Sequence, residues 1–117
     1  MRVSVVSVPV SDQERARAFY VEVLGFETVA DATFGPGMRW VQVAPPGSAT
    51  TFALVTWFAE MPAGSLRGLV LDTDDLDATR RDLVDRGAEV SEPSDQPGGR
   101  FCFLADPDGN VLGLHQA

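Results

Sequence analysis

The sequence predicts an α+β fold built from two tandem βαβββ modules whose sheets form a curved cleft. One pattern of helix-start and turn residues occurs twice with the same offset: Gly25 and Gly87 are 62 residues apart, as are Gly47 and Gly109. Each copy opens with a short apolar segment, which is followed by a helical pattern and three further apolar segments. Two copies are too few for a solenoid, so the repeat predicts the paired halves of one domain.

Length and composition fit a single domain that spans residues 1–117. Module one covers residues 1–56, residues 57–65 form a connection, and module two covers residues 66–117. Hydrophobic residues make up 44% of the chain and charged residues 22%, as in globular proteins. The net charge of −8 argues against nucleic acid and anionic membranes as partners, because both attract basic surfaces. It is compatible with a cationic small ligand, or with solubility alone.

Cysteine usage and hydropathy favour a cytoplasmic protein. Cys102 is the only cysteine, so neither an internal disulfide nor a multi-thiolate metal site can form. It lies within the apolar run 101–104, which predicts a buried and unreactive thiol. The first residues are typical of a strand rather than of a signal peptide, and no apolar run has the length of a membrane span.

Turn and capping signals give the elements of module one in order. Residues 2–9 are rich in valine and predict the first strand. Ser11 followed by Glu14 forms a capping-box pattern, so a helix is expected to start there. An apolar stripe at helical spacing leads to Gly25, which can end the helix because it takes a positive φ without strain. Three further strands are expected at 26–29, 39–43 and 51–55.

Module two repeats this order. Asp74 or Asp75 is expected to cap its helix, and Gly87 to end it. Its strands are predicted at 66–72, 88–90, 100–104 and 111–115. One helix cannot cover both faces of a four-stranded sheet. The open face of each sheet must therefore be buried against a partner module or hold a ligand.

Two motifs carry a resemblance to a known family. The first comprises Val10-Ser11-Asp12, Arg15-Ala16, Phe19-Tyr20 and Leu24-Gly25-Phe26, and the second is Asp106-Pro107-Asp108-Gly109-Asn110. At this separation they resemble the glyoxalase/bleomycin-resistance/dioxygenase family, the vicinal oxygen chelate superfamily, over essentially the whole chain. The resemblance implies the paired-module fold and a homodimer. It leaves the activity open, because the fold hosts lyases, isomerases, dioxygenases, thiol transferases and metal-free drug binders.

The family's enzymes share a metal site, and the resemblance assigns its positions to residues that cannot bind metal. The positions on the first strands of the two modules fall on Val5 and Gly68, and the position after the D-P-D-G motif falls on Gly113. The remaining position lies in the fourth strand, where residues 48–59 include no Asp, Glu, His or Gln. Divalent metals need several N, O or S donors. We therefore expect neither a metal nor another cofactor.

Strand alternation predicts which other side chains share the open faces. If positions 5, 68 and 113 point into the cleft, so do Ser7, Asp72 and His115. With the first and fourth strands parallel and adjacent, Gly68 is expected beside Gly113, and Asp72 diagonally from His115. One interpretation is an acid–base pair in which Asp72 orients His115. The other is that His115 and Asp72 are surface residues with no chemical role.

The third strands add aromatic side chains to the same faces. Trp40 and Gln42 share one parity, and Phe101 and Phe103 share another. These aromatic rings could stack on a planar ligand and Gln42 could hydrogen-bond it, or the rings could be plain core. Trp57 and Phe58 in the connection indicate a dimer contact, the lip of a cleft, or a loop that folds back on the core.

Three functional hypotheses follow. The first is a metal-independent small-molecule-binding protein, such as a drug-binding or resistance-type protein that takes an aromatic or cationic compound. Its ligand-binding residues would be Ser7, Trp40, Gln42, Phe101 and Phe103. The second is a metal-free lyase or isomerase in which Asp72 and His115 are catalytic. The third is a metal-dependent lyase or dioxygenase with relocated ligands such as Asp72, His115 and Gln42.

Overall fold

A computed structural model describes residues 1–117 and confirms the α+β fold with two βαβββ modules. The elements of module one are β1 (Val5–Pro9), α1 (Gln13–Ala18), which continues as a π-helical turn (Phe19–Val23), β2 (Glu27–Thr33), β3 (Arg39–Ala44) and β4 (Thr51–Val55). Those of module two are β5 (Leu69–Asp72), α2 (Leu76–Asp85), β6 (Ser94–Gln96), β7 (Gly99–Ala105) and β8 (Val111–Gln116). Neither helix has the length and apolar character that a membrane crossing requires.

The two sheets have the same topology. Their strand orders are β1-β4-β3-β2 and β5-β8-β7-β6. The first and fourth strands of each module run parallel and side by side, as predicted, and the remaining neighbours are antiparallel. Strands β1 and β5 are therefore edge strands, and each keeps one row of backbone hydrogen-bonding groups without a strand partner.

Aspartates cap both helices. Asp75 caps α2 and accepts a hydrogen bond from the backbone of Ala78, which selects between the two predicted caps. The prediction that Ser11 caps α1 is wrong, because Asp12 takes that position and accepts from the Arg15 amide at 3.0 Å. The Ser11 hydroxyl instead donates to the carboxylate of Asp108 in module two. Its hydrogen bond thus joins the modules rather than closing the helix.

The strand predicted at 88–90 is also wrong. Only Val90 makes an isolated bridge there, and the paired strand is β6, at Ser94–Gln96. The guanidinium of Arg80 explains the difference, because it donates to the carbonyl oxygens of Val90 and Ser91, at 3.1 and 2.9 Å. Pro93, which follows, has no amide to give to a ladder. The chain therefore leaves the sheet and re-enters it beyond the proline.

One hydrophobic core serves both modules. Sixteen buried side chains form a single cluster that draws on the helix-covered faces of both sheets and on both helices. Its largest fully buried members include Tyr20, Leu54, Leu76, Leu104 and Leu112. Because side chains alternate along a strand, the neighbours of these core residues point to the opposite, open faces. Open-face residues such as Val5 and Val70 are 41% and 47% exposed, so neither module covers the open face of the other.

Buried polar groups in the loop between β7 and β8 connect the modules. Asn110 is fully buried; its amide donates to the Pro9 carbonyl at 2.8 Å and accepts from the Leu66 amide at 2.9 Å. The carboxylate of Asp106, which is 5% exposed, accepts from the Tyr20 hydroxyl at 2.9 Å and from the Asn110 amide at 2.7 Å. The two sequence motifs of the resemblance therefore contact each other in the fold.

We expect Asn110→Ala to lower the free energy of unfolding by about 3 kcal/mol, because it leaves the buried partners of this amide unsatisfied. Guanidinium chloride unfolding would measure the change. The matched control is Gln96→Ala, which removes an exposed amide from β6. It should stay within about 0.5 kcal/mol of the wild type. Equal effects of the two substitutions would contradict the role assigned to the loop.

Candidate ligand-binding faces

The open face of sheet one carries a hydrogen-bonded tryptophan. Trp40 on β3 donates its indole N–H to the Gln42 side-chain oxygen at 2.9 Å. The amide nitrogen of Gln42 donates in turn to the hydroxyl of Thr51 on β4, at 2.7 Å. Both ends of the Gln42 amide are thus engaged, and they fix the orientation of the indole ring. Gln42, predicted to bind a ligand directly, positions Trp40 in this arrangement.

Further aromatic side chains extend this face. Trp57, in the connection, stacks on Trp40 with ring centroids 6.0 Å apart, and Phe58 lies against Trp57 at 6.1 Å. Trp57 and Phe58 are 46% and 45% exposed. Beside them is a hollow of about 310 Å³ lined by Phe34, Gly37, Met38, Arg39, Trp40 and Trp57. The predictions did not include Phe34 and Met38, although two apolar residues flanking a Gly-Pro-Gly turn are an identifiable signal.

Ser7, the remaining predicted residue of module one, lies on β1. It is half-buried and pairs with Ala53 of β4. It shares the open face with Trp40 and Gln42, because the alternating positions Val6 and Val8 pack with the core. Ser7 can therefore reach a ligand that lies on this face near the free edge of sheet one.

Sheet two carries a second aromatic group on its open face. The rings of Phe101 and Phe103 on β7 lie nearly parallel, at an interplanar angle of 8° and a centroid distance of 6.2 Å. The imidazole of His115 on β8 lies against Phe101 at 4.7 Å. Phe103 remains 41% exposed. The sequence-predicted residues therefore form two clusters, one on each sheet.

Asp72 and His115 are in direct contact. They are register partners on the parallel strands β5 and β8, so their predicted diagonal placement is corrected to a directly opposite one. The His115 Nδ1 lies 2.7 Å from the Asp72 Oδ1, and the Nε2 lies 2.7 Å from the carbonyl oxygen of Gly98. A Cβ at Gly99 would come within 2.8 Å of Nε2. The glycine pair in the β6–β7 turn thus allows this close approach.

Two acceptors around one imidazole favour its protonated form. The carbonyl of Gly98 and the carboxylate of Asp72 together raise the pKa of His115 above its ordinary value. In this arrangement both ring nitrogens donate, and neither offers a lone pair to a substrate. When it is protonated, the ring is held between two strands and a turn by hydrogen bonds from both of its nitrogens.

The family's metal positions hold no donor in the fold. Gly113 lies opposite Val70, which corrects the predicted pairing of Gly113 with Gly68. A Cβ at Gly113 would lie 3.4 Å from Val70 and 3.5 Å from Phe103, so apolar groups occupy the space around it. Gly68 precedes β5 with φ at +85°, a backbone conformation that histidine rarely adopts. No three His, Cys, Asp or Glu side chains converge anywhere in the chain. These residues do not fit a divalent metal.

Two βαβββ modules that share one core through their helix-covered faces define the fold class of this chain. The chain belongs to the Glyoxalase/Bleomycin resistance protein/Dioxygenase superfamily, whose family model matches residues 2–114.

Solved structures and a curated relative support this membership. The chain is 53% identical to TnmS3, an antibiotic-binding protein from Streptomyces sp. CB03234, with a TM-score of 0.93 over 99% of this chain and 95% of that one. It is 38% identical to a superfamily member from Sphaerobacter thermophilus DSM 20745, with a TM-score of 0.90 over 100% and 98% of the two chains. The protein YetH from Bacillus subtilis strain 168 is 34% identical over 98% of both chains.

We expect a proton NMR titration of His115, the only histidine, to give an apparent pKa above about 6.5, the value of a free imidazole. Because the pKa of His115 is higher in the folded state, its contacts with Asp72 and Gly98 stabilise the folded protein. This contribution to the free energy of unfolding is complete below the unfolded-state pKa and is lost as pH rises through the folded-state pKa. Asp72→Asn should lower the measured pKa. The urea-unfolded chain is the control and should titrate normally. A folded-state pKa at or below that control would contradict the two contacts.

Proposed function

We propose that this protein is a metal-independent small-molecule-binding protein of the drug-binding or resistance type. The observation that carries the proposal is the pair of exposed, aromatic-lined sheet faces at which every inherited metal position lacks a donor atom. The antibiotic-binding description of TnmS3, at 53% identity over 99% of this chain, supports the same class of ligand. The natural ligand would be a compound with a planar aromatic part.

The geometry of the aromatic groups suits flat ligands. Trp40 is held by Gln42 and Thr51 before any ligand arrives, so little conformational entropy is lost when a ring stacks on it. Phe101 and Phe103 present nearly parallel rings on the other sheet. Each aromatic contact is worth roughly 0.5–1.5 kcal/mol beyond the area it buries. Ser7, at the edge of sheet one, would supply a hydrogen bond to the ligand.

The absence of donor atoms supports metal independence. Zinc, nickel, iron and manganese sites are built from imidazole, thiolate and carboxylate groups. Val5, Gly68 and Gly113 provide none of these, and the only histidine is already bound to Asp72 and Gly98. The proposed binding reaction therefore uses the side chains of the chain alone, with no cofactor.

A homodimer would complete the binding site. In one chain the open faces are not covered by the other module, and each ends at a free edge strand, β1 or β5. Exposed edges of this kind pair readily with another chain. A two-fold symmetric dimer would set β1 of one chain beside β5 of its partner. Trp40 of one chain and Phe103 of the other would then lie on one continuous concave surface, which we call the cup. This arrangement buries Val5 and Val70.

The acid–base alternative rests on the 2.7 Å contact between Asp72 and His115. A general base needs a free ring nitrogen and a pKa near the working pH. The hydrogen bond from Nε2 to Gly98 opposes that role. The titration of His115 bears on the choice: a folded-state pKa above that of a free imidazole supports a held cation, whereas an ordinary value would favour the metal-free lyase or isomerase.

We expect planar aromatic compounds to raise the melting temperature in a thermal-shift screen, because binding to the native state stabilises it by mass action. Trp40→Ala should lower the affinity for the most stabilising compound about tenfold, which corresponds to about 1.4 kcal/mol of binding free energy. The control is Val84→Ala, which removes an exposed apolar side chain from α2. Treatment with EDTA should change nothing. A screen without any stabilising compound, or a loss of binding with EDTA, would contradict the proposal.

Mixing two variants with weakened binding tests the dimeric cup. If Trp40 and Phe103 of different chains share a cup, Trp40→Ala and Phe103→Ala chains that are unfolded and refolded together will form mixed dimers. Each mixed dimer contains one intact cup, so about a quarter of all cups should regain affinity. Isothermal titration calorimetry would measure the fraction of binding sites with the recovered affinity. The control mixes each variant with itself. No recovery in a mixture that is dimeric by sedimentation would place both residues in one chain.

A further inference from the structure

The open faces differ in charge from the rest of this acidic protein. The chain has 17 acidic and 9 basic residues. Along β1, β4 and β3 of sheet one and β5, β8 and β7 of sheet two, however, the only charged side chains on the open face are Asp72 and His115. Arg39 and Arg100 point to the helix-covered side, where they bind the carboxylates Glu14, Asp31 and Asp77. Glu27 lies at the corner of the outermost strand β2, opposite Ala44.

The two charges on the open face cancel each other. The imidazole of His115 donates to the Asp72 carboxylate, which is 84% exposed, and to the Gly98 carbonyl. Asp74 lies just beyond the end of β5 and lines the same hollow of about 290 Å³. Without the His115 cation, two carboxylates would stand in that hollow unbalanced. The pair therefore controls the local sign of the electrostatic potential.

Net charge alone does not decide which ligand enters. Most carboxylates lie on the helices and outer loops, and at physiological ionic strength their field decays over about 8 Å. Asp74 lies beyond the end of β5 and is exposed to solvent, so the sheet face itself carries no unpaired charge. A charged ligand stacked there would give up hydration without gaining a counter-charge, which costs several kcal/mol for a desolvated ion. A neutral ring stacked on Phe101 and Phe103 does not incur this cost.

We infer that the cup selects uncharged planar aromatic molecules, and that the Asp72–His115 pair is the specificity determinant that makes it do so. This inference rests on the proposed function and narrows its ligand class. The expected ligand is therefore a neutral compound and not the cationic compound with which the net charge of −8 is compatible. The Asp72–His115 pair contributes because its two charges cancel. Removing the His115 charge should shift the ligand preference towards cations, and removing the Asp72 charge should shift it towards anions.

Three anthracene probes that share one ring system test the inference: 9-anthracenemethanol is neutral, 9-(aminomethyl)anthracene is a cation and 9-anthracenecarboxylate is an anion. Fluorescence titrations at pH 6 in physiological salt would give the three affinities. For the wild type, we expect the neutral probe to bind at least about tenfold more tightly than either charged probe, a difference of about 1.4 kcal/mol.

Two variants then change the charge of the pair. His115→Gln leaves Asp72 and Asp74 without the cation, so the aminomethyl probe should gain at least about fivefold relative to the neutral probe. Asp72→Asn leaves the imidazolium, so the carboxylate probe should gain instead. The control is Glu27→Gln, which removes a charge from the outer strand and should leave the ranking unchanged. Circular dichroism would verify the fold of each variant. Either variant, if it folds, is enough to test the direction in which the preference for charged probes changes.

The outcomes separate this inference from the proposed function. Equal affinities for the three probes, or a wild-type preference for a charged probe, would overturn the selection of neutral ligands and leave small-molecule binding intact. Shifts of the same sign in both variants would overturn the role of the pair. Failure of all three probes, together with a thermal-shift screen that gives no stabilising compound, would contradict the proposed function and the inference with it.

Discussion

The buried contact between Asn110 and Pro9 is the constraint on which the arrangement of the two modules depends. It ties the loop after β7 to the end of β1, and Asp106 adds the Tyr20 hydroxyl to the same network. Because these groups are buried, breaking any one leaves a polar atom unsatisfied, so the network holds one relative position of the modules. That position joins the helix-covered faces in one core. The open faces are consequently left for something other than this chain's second module.

The same constraint explains why the candidate site divides into two parts. Each sheet supplies one aromatic group, Trp40 with Trp57 on sheet one and Phe101 with Phe103 on sheet two. Each group is fixed by its own neighbours, through Gln42 on one sheet and β-pairing on the other. Rigid halves of this kind can be brought together by symmetry without reorganising either, which keeps the entropic cost of binding low.

The sequence predicted what depends on periodicity and glycine placement, and missed what depends on long-range hydrogen bonds. The repeat, the parallel first and fourth strands and the strand parity were all accessible, since alternation fixes which side chains share a face. The strand predicted at 88–90 does not form, because Arg80 binds the backbone carbonyls of Val90 and Ser91. Likewise, the pairing of Gly113 with Val70 depends on a register that no local pattern encodes.

The misplaced helix cap and the bound histidine share a cause. Ser11 bonds to Asp108, and His115 to Gly98, across separations that sequence motifs do not reach. The second contact changes the chemistry expected of the site, because an imidazole that donates from both nitrogens carries charge but accepts no proton. A pattern typical of an acid–base pair thus becomes a means of neutralising a carboxylate. Together with the donor-free positions at Val5 and Gly113, this arrangement supports the proposed role in recognition, because both imidazole nitrogens are engaged and neither position offers an atom that could hold a metal.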